Sequence, residues 1–257
     1  MSAFLTLSAT CLAAVAVLMA GTALVSRRVG RVSVVDVTWG LGFVLVALVC
    51  AVAGSGDPAR RWLLVALVAA WGLRLAWHIH RRSRGHGEDP RYAAMLEGGG
   101  FALAVRKVFV TQAVALWLVS LPLQVSGTTE TVWWPAVGAG LAVWLLGFAF
   151  ETLGDAQLAA YRRDPERGPV MDRGLWAWTR HPNYFGDACV WWGLWLIGGV
   201  GSGPLPGLLT VLAPVAMTYF LVYATGARLL EKTMMARPGY AEYTARTPMF
   251  LPRPPSR

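Results

Sequence analysis

The chain has 257 residues, of which 56% are hydrophobic and only 14% charged, and its formal net charge is +9. Soluble domains carry about 25% charged residues, so this composition excludes an ordinary soluble domain. It also excludes a disordered chain, because disorder needs few apolar residues and many charges. A disulfide scaffold is disfavoured because Cys11, Cys50 and Cys189 all lie inside apolar runs.

Seven apolar runs approach the roughly 20 residues that a membrane-spanning helix needs. They predict an all-α polytopic membrane protein with seven transmembrane helices, at approximately 3–25, 32–54, 62–80, 105–123, 132–153, 185–200 and 205–227. The last two runs are separated only by a Gly/Pro turn, which predicts a tight helical hairpin. No Lys or Arg precedes the first run, so we expect an uncleaved first span rather than a signal peptide.

Positive charges follow the first, third, fifth and seventh spans. These segments hold 20 of the 23 Lys and Arg residues, whereas Arg60 and Arg61 fall in an opposite loop and Arg74 lies within a span. The positive-inside rule therefore predicts an outside N-terminus and a cytoplasmic C-terminus. It also explains the net charge without a nucleic-acid partner.

Asp36 lies just inside the second predicted span, where an ionisable group costs about 2.5–3.5 kcal/mol on insertion scales. One interpretation is a carboxylate at a helix start, placed there by the helix dipole. The other is a proton donor or hydrogen-bonding group in a site inside the bundle. Both interpretations stay open on the residues alone.

Trp71, Arg74 and His78 of the third span are spaced i, i+3 and i+7, so they share one helical face. We expect this face to point into the bundle, where Arg74 either forms a structural ion pair with Asp36 or joins it in a site. His78 is also explained as an interface residue near the cytoplasmic end. The histidines and cysteines lack metal-site spacing, so no metal is expected.

Polar side chains gather at the cytoplasmic end of the fifth span. Glu151 and Asp155 are four residues apart, and a continued helix brings Arg162 within reach. Such a face suits ribose hydroxyls and a phosphate, although a solvated helix just outside the membrane has the same pattern. No Gly-rich phosphate loop is present, so a nucleotide would have to be held by side chains of the bundle.

The densest polar segment, 174–187, leads into the sixth span. Pro182 suits the first turn of a helix, and Asn183 and Asp187 lie one turn apart. An aromatic belt explains the tryptophans of this segment but not its ordered polar series, Arg180, His181, Pro182, Asn183 and Tyr184. Further polar groups follow the seventh span on the same side, namely Glu231, Tyr243 and Arg246.

Taken in chain order, these motifs resemble the steroid 5-alpha-reductase superfamily, particularly its bacterial branch. The C-terminal half matches through Asp155, Gly174-Leu175-Trp176, the segment 180–187, and Tyr243 with Arg246. The N-terminal half matches through Asp36-Val37-Thr38-Trp39, Trp71-Gly72-Leu73-Arg74 and the segment 87–92.

The resemblance implies a seven-helix enzyme of the bacterial inner membrane that uses NADPH to reduce a carbon–carbon double bond conjugated to a carbonyl. Its partners would be a lipid or steroid-like substrate and membrane lipids. It implies one membrane domain over 1–257, with substrate-side helices in about 1–130 and a cofactor-binding half in about 131–257. The implied cofactor-binding residues are Glu151, Asp155, Arg162, Arg163, Arg180, His181, Asn183, Tyr184, Asp187, Glu231, Tyr243 and Arg246.

The catalytic pair of that superfamily is a Glu on the second span and a Tyr on the third. Here Asp36 is the best-placed carboxylate and Trp71 stands at the Tyr position, so the expected catalytic set is Asp36, Trp71, Arg74 and His78. Asp187 similarly stands where steroid reductases usually have Glu. In this hypothesis Asp36, with Arg74 or His78 nearby, steadies the oxygen that becomes negative when hydride attacks the β carbon.

The main alternative is an S-adenosylmethionine-dependent methyltransferase of the isoprenylcysteine type. Such enzymes share the Arg-His-Pro-x-Tyr element, a following helical hairpin and a downstream Glu, here Glu231. Asn183, Asp187 and the upstream Asp155 favour the reductase. A transporter or a non-catalytic lipid-binding scaffold is disfavoured because the sequence shows neither a repeat nor broken helices at the membrane midplane.

Overall fold

The computed structural model describes residues 2–224 and 226–255, which form helices and loops with no β-strand among them. The helices are α1 (Ser2–Val29), α2 (Val34–Ala53), α3 (Pro58–Ser83), α4 (Pro90–Met95), α5 (Phe101–Val119), α6 (Leu121–Ser126), α7 (Trp134–Arg163), α8 (Pro182–Gly198), α9 (Pro204–Thr210), α10 (Leu212–Tyr219), α11 (Ala227–Met234) and α12 (Tyr240–Arg246). Wider π-helical turns occur in α5 at Val105–Val110 and after α10 at Phe220–Ala224. The predicted all-α fold is confirmed for the described residues.

Among the described residues, six helical segments are long and apolar enough to cross a membrane: α1, α2, α3, α5, α7 and the C-terminal segment that contains α9, α10 and α11. The remaining predicted span, 185–200, corresponds to α8, which has only 17 residues. The helices therefore support a multi-pass membrane protein, while the count of seven spans and the orientation stay predictions.

The chain divides into two compact units, each of which has its own packing. Unit 1 comprises the described residues of 1–135 together with 197–210, and unit 2 comprises the described residues of 136–196 and 211–257. The first boundary lies close to the predicted division near residue 130. The segment 197–210, however, joins the N-terminal unit, and a single membrane domain stays a prediction.

In unit 1, α2 and α3 approach each other through a pair of glycines. A Cβ atom on Gly40 would lie 2.5 Å from the carbonyl oxygen of Gly72, and one on Gly72 would lie 2.6 Å from the Gly40 oxygen. Beside this contact Phe43 and Trp71 are fully buried, with ring centroids 5.8 Å apart. The glycines therefore allow backbone contact, and the aromatic rings fill the adjoining core.

In unit 2, α7 and α8 also pack through glycines. A Cβ on Gly147 would lie 2.5 Å from the Gly186 oxygen, and one on Gly193 would lie 2.7 Å from the Gly140 oxygen. The helix α8 begins at Pro182, as the sequence predicts, because proline has no N–H to lose in a first turn. This close packing sets the polar start of α8 beside the polar end of α7, where Gly154 approaches Asn183.

Candidate functional site

Unit 1 contains a polar cluster around Asp36 in the first turn of α2. Its Oδ1 accepts a hydrogen bond from the Tyr92 hydroxyl at 2.5 Å, and its Oδ2 lies 3.3 Å from Nη2 of Arg91. The side-chain amide of Gln112 in α5 donates to the Tyr92 oxygen at 3.2 Å. The Asp36 side chain is only 22% exposed, so its charge is held by these donors more than by water.

The loop before α4 is tied to the start of α2 by Glu88. Its carboxylate accepts from the backbone N–H groups of Val32, Ser33 and Asp89, the last two at 3.0 Å and 2.9 Å. Although burial opposes the effect, these donors lower the pKa of Glu88. An ionised Glu88 therefore holds the loop where it presents Arg91 and Tyr92 to Asp36.

Two side chains of α4, Arg91 and Tyr92, complete the cluster around Asp36. Arg91 forms a two-pronged pair with Asp89, at 3.0 Å from Nε and 2.9 Å from Nη2. Burial, and then the negative charge of Asp36, raise the pKa of Tyr92 above its ordinary value. Tyr92 is therefore a protonated hydrogen-bond donor throughout the physiological range.

The other expected catalytic residues lie on α3. Trp71 is fully buried in the core of unit 1, while Arg74 and His78 are half-buried further along the helix. Leu73 and Trp77 on the same helix are exposed, so the helix is divided into an inner and an outer side. Trp71 has no hydroxyl, and the tyrosine that contacts Asp36 comes from α4.

In unit 2, Arg180, His181 and Glu231 form a second polar cluster. Arg180 contacts Glu231 through Nε at 2.7 Å and Nη2 at 3.0 Å, and Nε2 of His181 lies 3.0 Å from the same carboxylate. The remaining Nη1 of Arg180 donates to the carbonyls of Thr244 and Thr247, at 3.2 Å and 2.6 Å. Arg180 thus joins α11 to the end of α12.

Further bonds hold the C-terminal tail against the segment before α8. The Tyr243 hydroxyl donates to the Trp176 carbonyl at 2.5 Å, and burial raises the pKa of Tyr243. The backbone N–H groups of Arg180 and Arg253 donate to Pro248 and Trp178, both at 2.9 Å. Arg246 pairs with Asp172 nearer the surface. These bonds hold the C-terminal tail and the segment before α8 together at this end of unit 2.

A third group lies where α7 meets the start of α8. The Asn183 side-chain amide donates to Oδ1 of Asp155 at 3.2 Å, and the Tyr184 ring stacks on His181 with centroids 5.5 Å apart. Glu151, Asp155 and Asp187 are buried, whereas Arg162 and Arg163 at the end of α7 are exposed. This region combines buried acceptors, an amide donor and exposed cations.

The sequence did not single out Tyr92, Arg91, Glu88 or Gln112 as functional. Three of them, Glu88, Arg91 and Tyr92, lie in the segment 87–92, which resembles the superfamily but to which we assigned no role. Their proximity to Asp36 depends on a contact between residues 56 positions apart, which no local pattern reveals. Among residues 2–224 and 226–255, no three His, Cys, Asp or Glu side chains form a metal-binding group.

Apolar helices and buried polar clusters define a multi-pass membrane protein, and comparison with known proteins then gives its family. The family described as "Protein of unknown function (DUF1295)" matches residues 23–247, so the chain belongs to this family.

Curated relatives carry names that refer to metal resistance. The cobalt-zinc-cadmium resistance protein CzcN of Cupriavidus metallidurans is 30% identical over 114 residues, 44% of this chain and 49% of that protein. The nickel-cobalt-cadmium resistance protein NccN of Alcaligenes xylosoxydans xylosoxydans is 29% identical over 115 residues, 44% of this chain and 50% of that protein. The chain thus spans about half the length of these relatives, and no solved structure matches it.

Proposed function

We propose that the chain is a membrane-embedded reductase of the steroid 5-alpha-reductase superfamily, to whose members its family is related. It would use NADPH to reduce a carbon–carbon double bond conjugated to a carbonyl in a lipophilic substrate. The observation that carries the proposal is the hydrogen bond between Tyr92 and Asp36, because it supplies a carboxylate and phenol pair although Trp71 has no hydroxyl.

The cluster around Asp36 suits a carbonyl that gains negative charge. Tyr92 and Arg91 both direct donors at Asp36, so a carbonyl oxygen that enters beside this carboxylate would receive the Tyr92 hydroxyl in its place, with the Arg91 guanidinium adjacent. Arg91 is already oriented by its pair with Asp89, and oriented donors stabilise a developing oxyanion. Gln112 donates to the Tyr92 oxygen, which polarises the phenol and makes it a stronger donor.

The region where α7 meets α8 fits a dinucleotide in its donor and acceptor chemistry. When bound, NADPH supplies a hydride. The Asp155 carboxylate and the Asn183 amide suit ribose hydroxyls, and the exposed guanidinium groups of Arg162 and Arg163 suit phosphates. Arg180 and Glu231 form an ion pair that also fixes the C-terminal tail. We therefore assign them a positioning role, in which they keep the start of α8 with Asn183 and Tyr184 in place.

S-adenosylmethionine-dependent methyl transfer is the second candidate. It is favoured by the joined cluster of Arg180, His181 and Glu231, because these are the residues that such methyltransferases share with this chain. Methyl transfer to a nucleophile generates no enolate, however, and leaves the donors around Asp36 without a role. We therefore favour the reductase.

Thermal unfolding of the detergent-purified full chain tests the proposal. A ligand present at about 100 times its Kd stabilises by about 2.7 kcal/mol, so NADPH should raise the unfolding midpoint. The variant Asp155→Ala should reduce this shift, whereas Asp164→Ala, which changes an exposed acid after α7, should not. A shift with S-adenosylmethionine and none with NADPH would overturn the reductase in favour of the methyltransferase.

A further inference from the structure

A basic pocket lies in unit 1 where α1 ends and α5 begins, next to the cluster around Asp36, because its lining residue Val32 donates its N–H to Glu88. Its volume is about 280 Å³, and its walls include Arg27, Arg31, Leu96 and Phe101. We propose that this pocket binds the phosphate of an anionic membrane lipid.

The two arginines of this pocket lack the carboxylates that usually neutralise such groups. None of its lining residues, all of them described by the structure, is acidic. Within residues 2–224 and 226–255, Nε of Arg31 is buried without a hydrogen-bond partner, and its Nη2 reaches only the Ser33 hydroxyl at 3.4 Å. The guanidinium of Arg27 lies over the Phe101 ring, 5.6 Å from its centroid. The guanidinium of Arg31 therefore keeps donor capacity that a phosphate can use, and Arg27 adds a second positive charge to the same pocket.

A second pocket, in unit 2, shows how the pocket beside Phe101 differs from one whose arginines have acidic neighbours. The pocket in unit 2 beside Tyr161 has a similar volume of about 280 Å³, and it contains three arginines together with Asp164, Asp172 and Glu242. One of those arginines, Arg246, is paired with Asp172. The internal carboxylates there balance the positive charge, whereas the pocket beside Phe101 leaves its positive charge for a ligand.

The surroundings favour a lipid over free phosphate. The helix α1 is a candidate membrane span, and its exposed side chains next to the pocket residues include Leu24, Val25 and Val29. The pocket itself adds the apolar walls of Leu96 and Phe101 to the two guanidinium groups. An anionic lipid matches both the basic and the apolar residues. Its phosphate would contact the arginines, and its acyl chains would lie along the exposed apolar side chains of α1.

Native mass spectrometry of the full chain in detergent tests this assignment, with phosphatidylglycerol, phosphatidylcholine and inorganic phosphate as the probes. Phosphatidylglycerol should bind better than phosphatidylcholine. Each arginine near an anionic lipid contributes about fivefold, so the double variant Arg27→Gln/Arg31→Gln should bind phosphatidylglycerol roughly thirtyfold more weakly. If the double variant does not fold, each single variant should show about a fivefold loss.

The matched control is Arg28→Gln, which removes an exposed positive charge beside the pocket without changing its walls. It should bind phosphatidylglycerol within about twofold of the parent, because Arg28 does not line the pocket and so does not contact the bound phosphate. The proposal is overturned if Arg28→Gln loses as much affinity as Arg31→Gln, or if phosphatidylcholine binds equally well. Saturable binding of inorganic phosphate with no preference for phosphatidylglycerol would assign the pocket to free phosphate instead.

Discussion

Two neighbouring residues of one short helix, Arg91 and Tyr92, direct their donors at the same carboxylate. Asp36 receives the Tyr92 hydroxyl at 2.5 Å and the Arg91 guanidinium at 3.3 Å, although both come from a segment more than 50 positions away. A helix-start carboxylate would need only the helix dipole, and this one has side-chain partners besides. Asp36 is therefore more than a carboxylate placed by a helix dipole, and its functional role stays a prediction.

The variant Tyr92→Phe tests the donor role directly. It removes the hydroxyl and leaves the ring in place, so we expect the NADPH-dependent reduction rate of an enone probe to fall by roughly 100-fold. Thermal stability should fall by about 1.5–3 kcal/mol, the value of a hydrogen bond to a charged group. Parallel rate and unfolding measurements separate these two effects.

The control is Tyr219→Phe, which changes an exposed tyrosine in unit 2. Its reduction rate should equal that of the parent. A Tyr92→Phe variant that reduced the probe at the parental rate would remove Tyr92 from the mechanism.

The anchoring role of Glu88 predicts a pH dependence of stability. Despite burial, its backbone donors lower the folded-state pKa below the ordinary value of 4.5. A lowered pKa contributes stability that is fully present above the ordinary value and is lost as the pH falls through the folded-state value. The unfolding midpoint of the parent should therefore decrease as the pH is lowered through and below about 4.5.

The variant Glu88→Gln keeps the size of this side chain but cannot ionise. Its unfolding midpoint should be lower than that of the parent at neutral pH and should depend less on pH in the acid range. Identical acid slopes for the two proteins would show that Glu88 does not carry this stabilisation.

At the scale of the helices, glycines decide how closely α7 and α8 pack in unit 2. The change Gly147→Ala would place a Cβ 2.5 Å from the Gly186 oxygen and 2.6 Å from the Val190 nitrogen. Because both neighbours are backbone atoms, we expect a loss of roughly 1–3 kcal/mol in the free energy of unfolding. Denaturant unfolding in detergent measures it.

Gly138→Ala on the same helix is the matched control, because nothing lies within 4 Å of the added Cβ. It should be neutral or stabilise by up to about 1 kcal/mol through helix propensity. Equal destabilisation by the two changes would refute the close-packing explanation.

The bonds of Arg180 connect three elements, so its substitution should loosen the C-terminal end of unit 2. Arg180→Lys keeps the charge but cannot reach Glu231 and the carbonyls of Thr244 and Thr247 together. We expect a loss of roughly 2–4 kcal/mol and faster proteolysis within 240–255. The control Arg163→Lys, an exposed residue, should behave like the parent. Unchanged protease resistance in Arg180→Lys would argue against this role.

The sequence predicted the apolar helices well and the contacts between them poorly. Runs of apolar residues located α1, α2, α3 and α7, and Pro182 marked the start of α8, because both signals are local. The helix predicted at 105–123 instead begins at Phe101 and ends at Val119, just before α6 begins at Leu121. Which tyrosine meets Asp36 depends on a loop that returns to α2, and helical periodicity carries no such information.

For the whole molecule, the distribution of charge is the feature that the sequence shows most clearly. The predicted cytoplasmic segments hold 20 of the 23 positive residues, and they include the ends of α1 and α7. An anionic cofactor and anionic lipids would both be attracted to such a surface. The excess of +9 is therefore consistent with both proposals without any nucleic-acid partner.

Deuterium transfer tests the proposed reaction most directly. Membranes containing the full chain are incubated with NADPH deuterated at nicotinamide C4 and with total membrane lipids plus a steroid 4-en-3-one, and the lipids are analysed by mass spectrometry. The reductase predicts a saturated product with deuterium at the former β carbon, strongly reduced in Asp36→Asn and Tyr92→Phe. No deuterium in any lipid, together with methyl transfer from labelled S-adenosylmethionine, would contradict it.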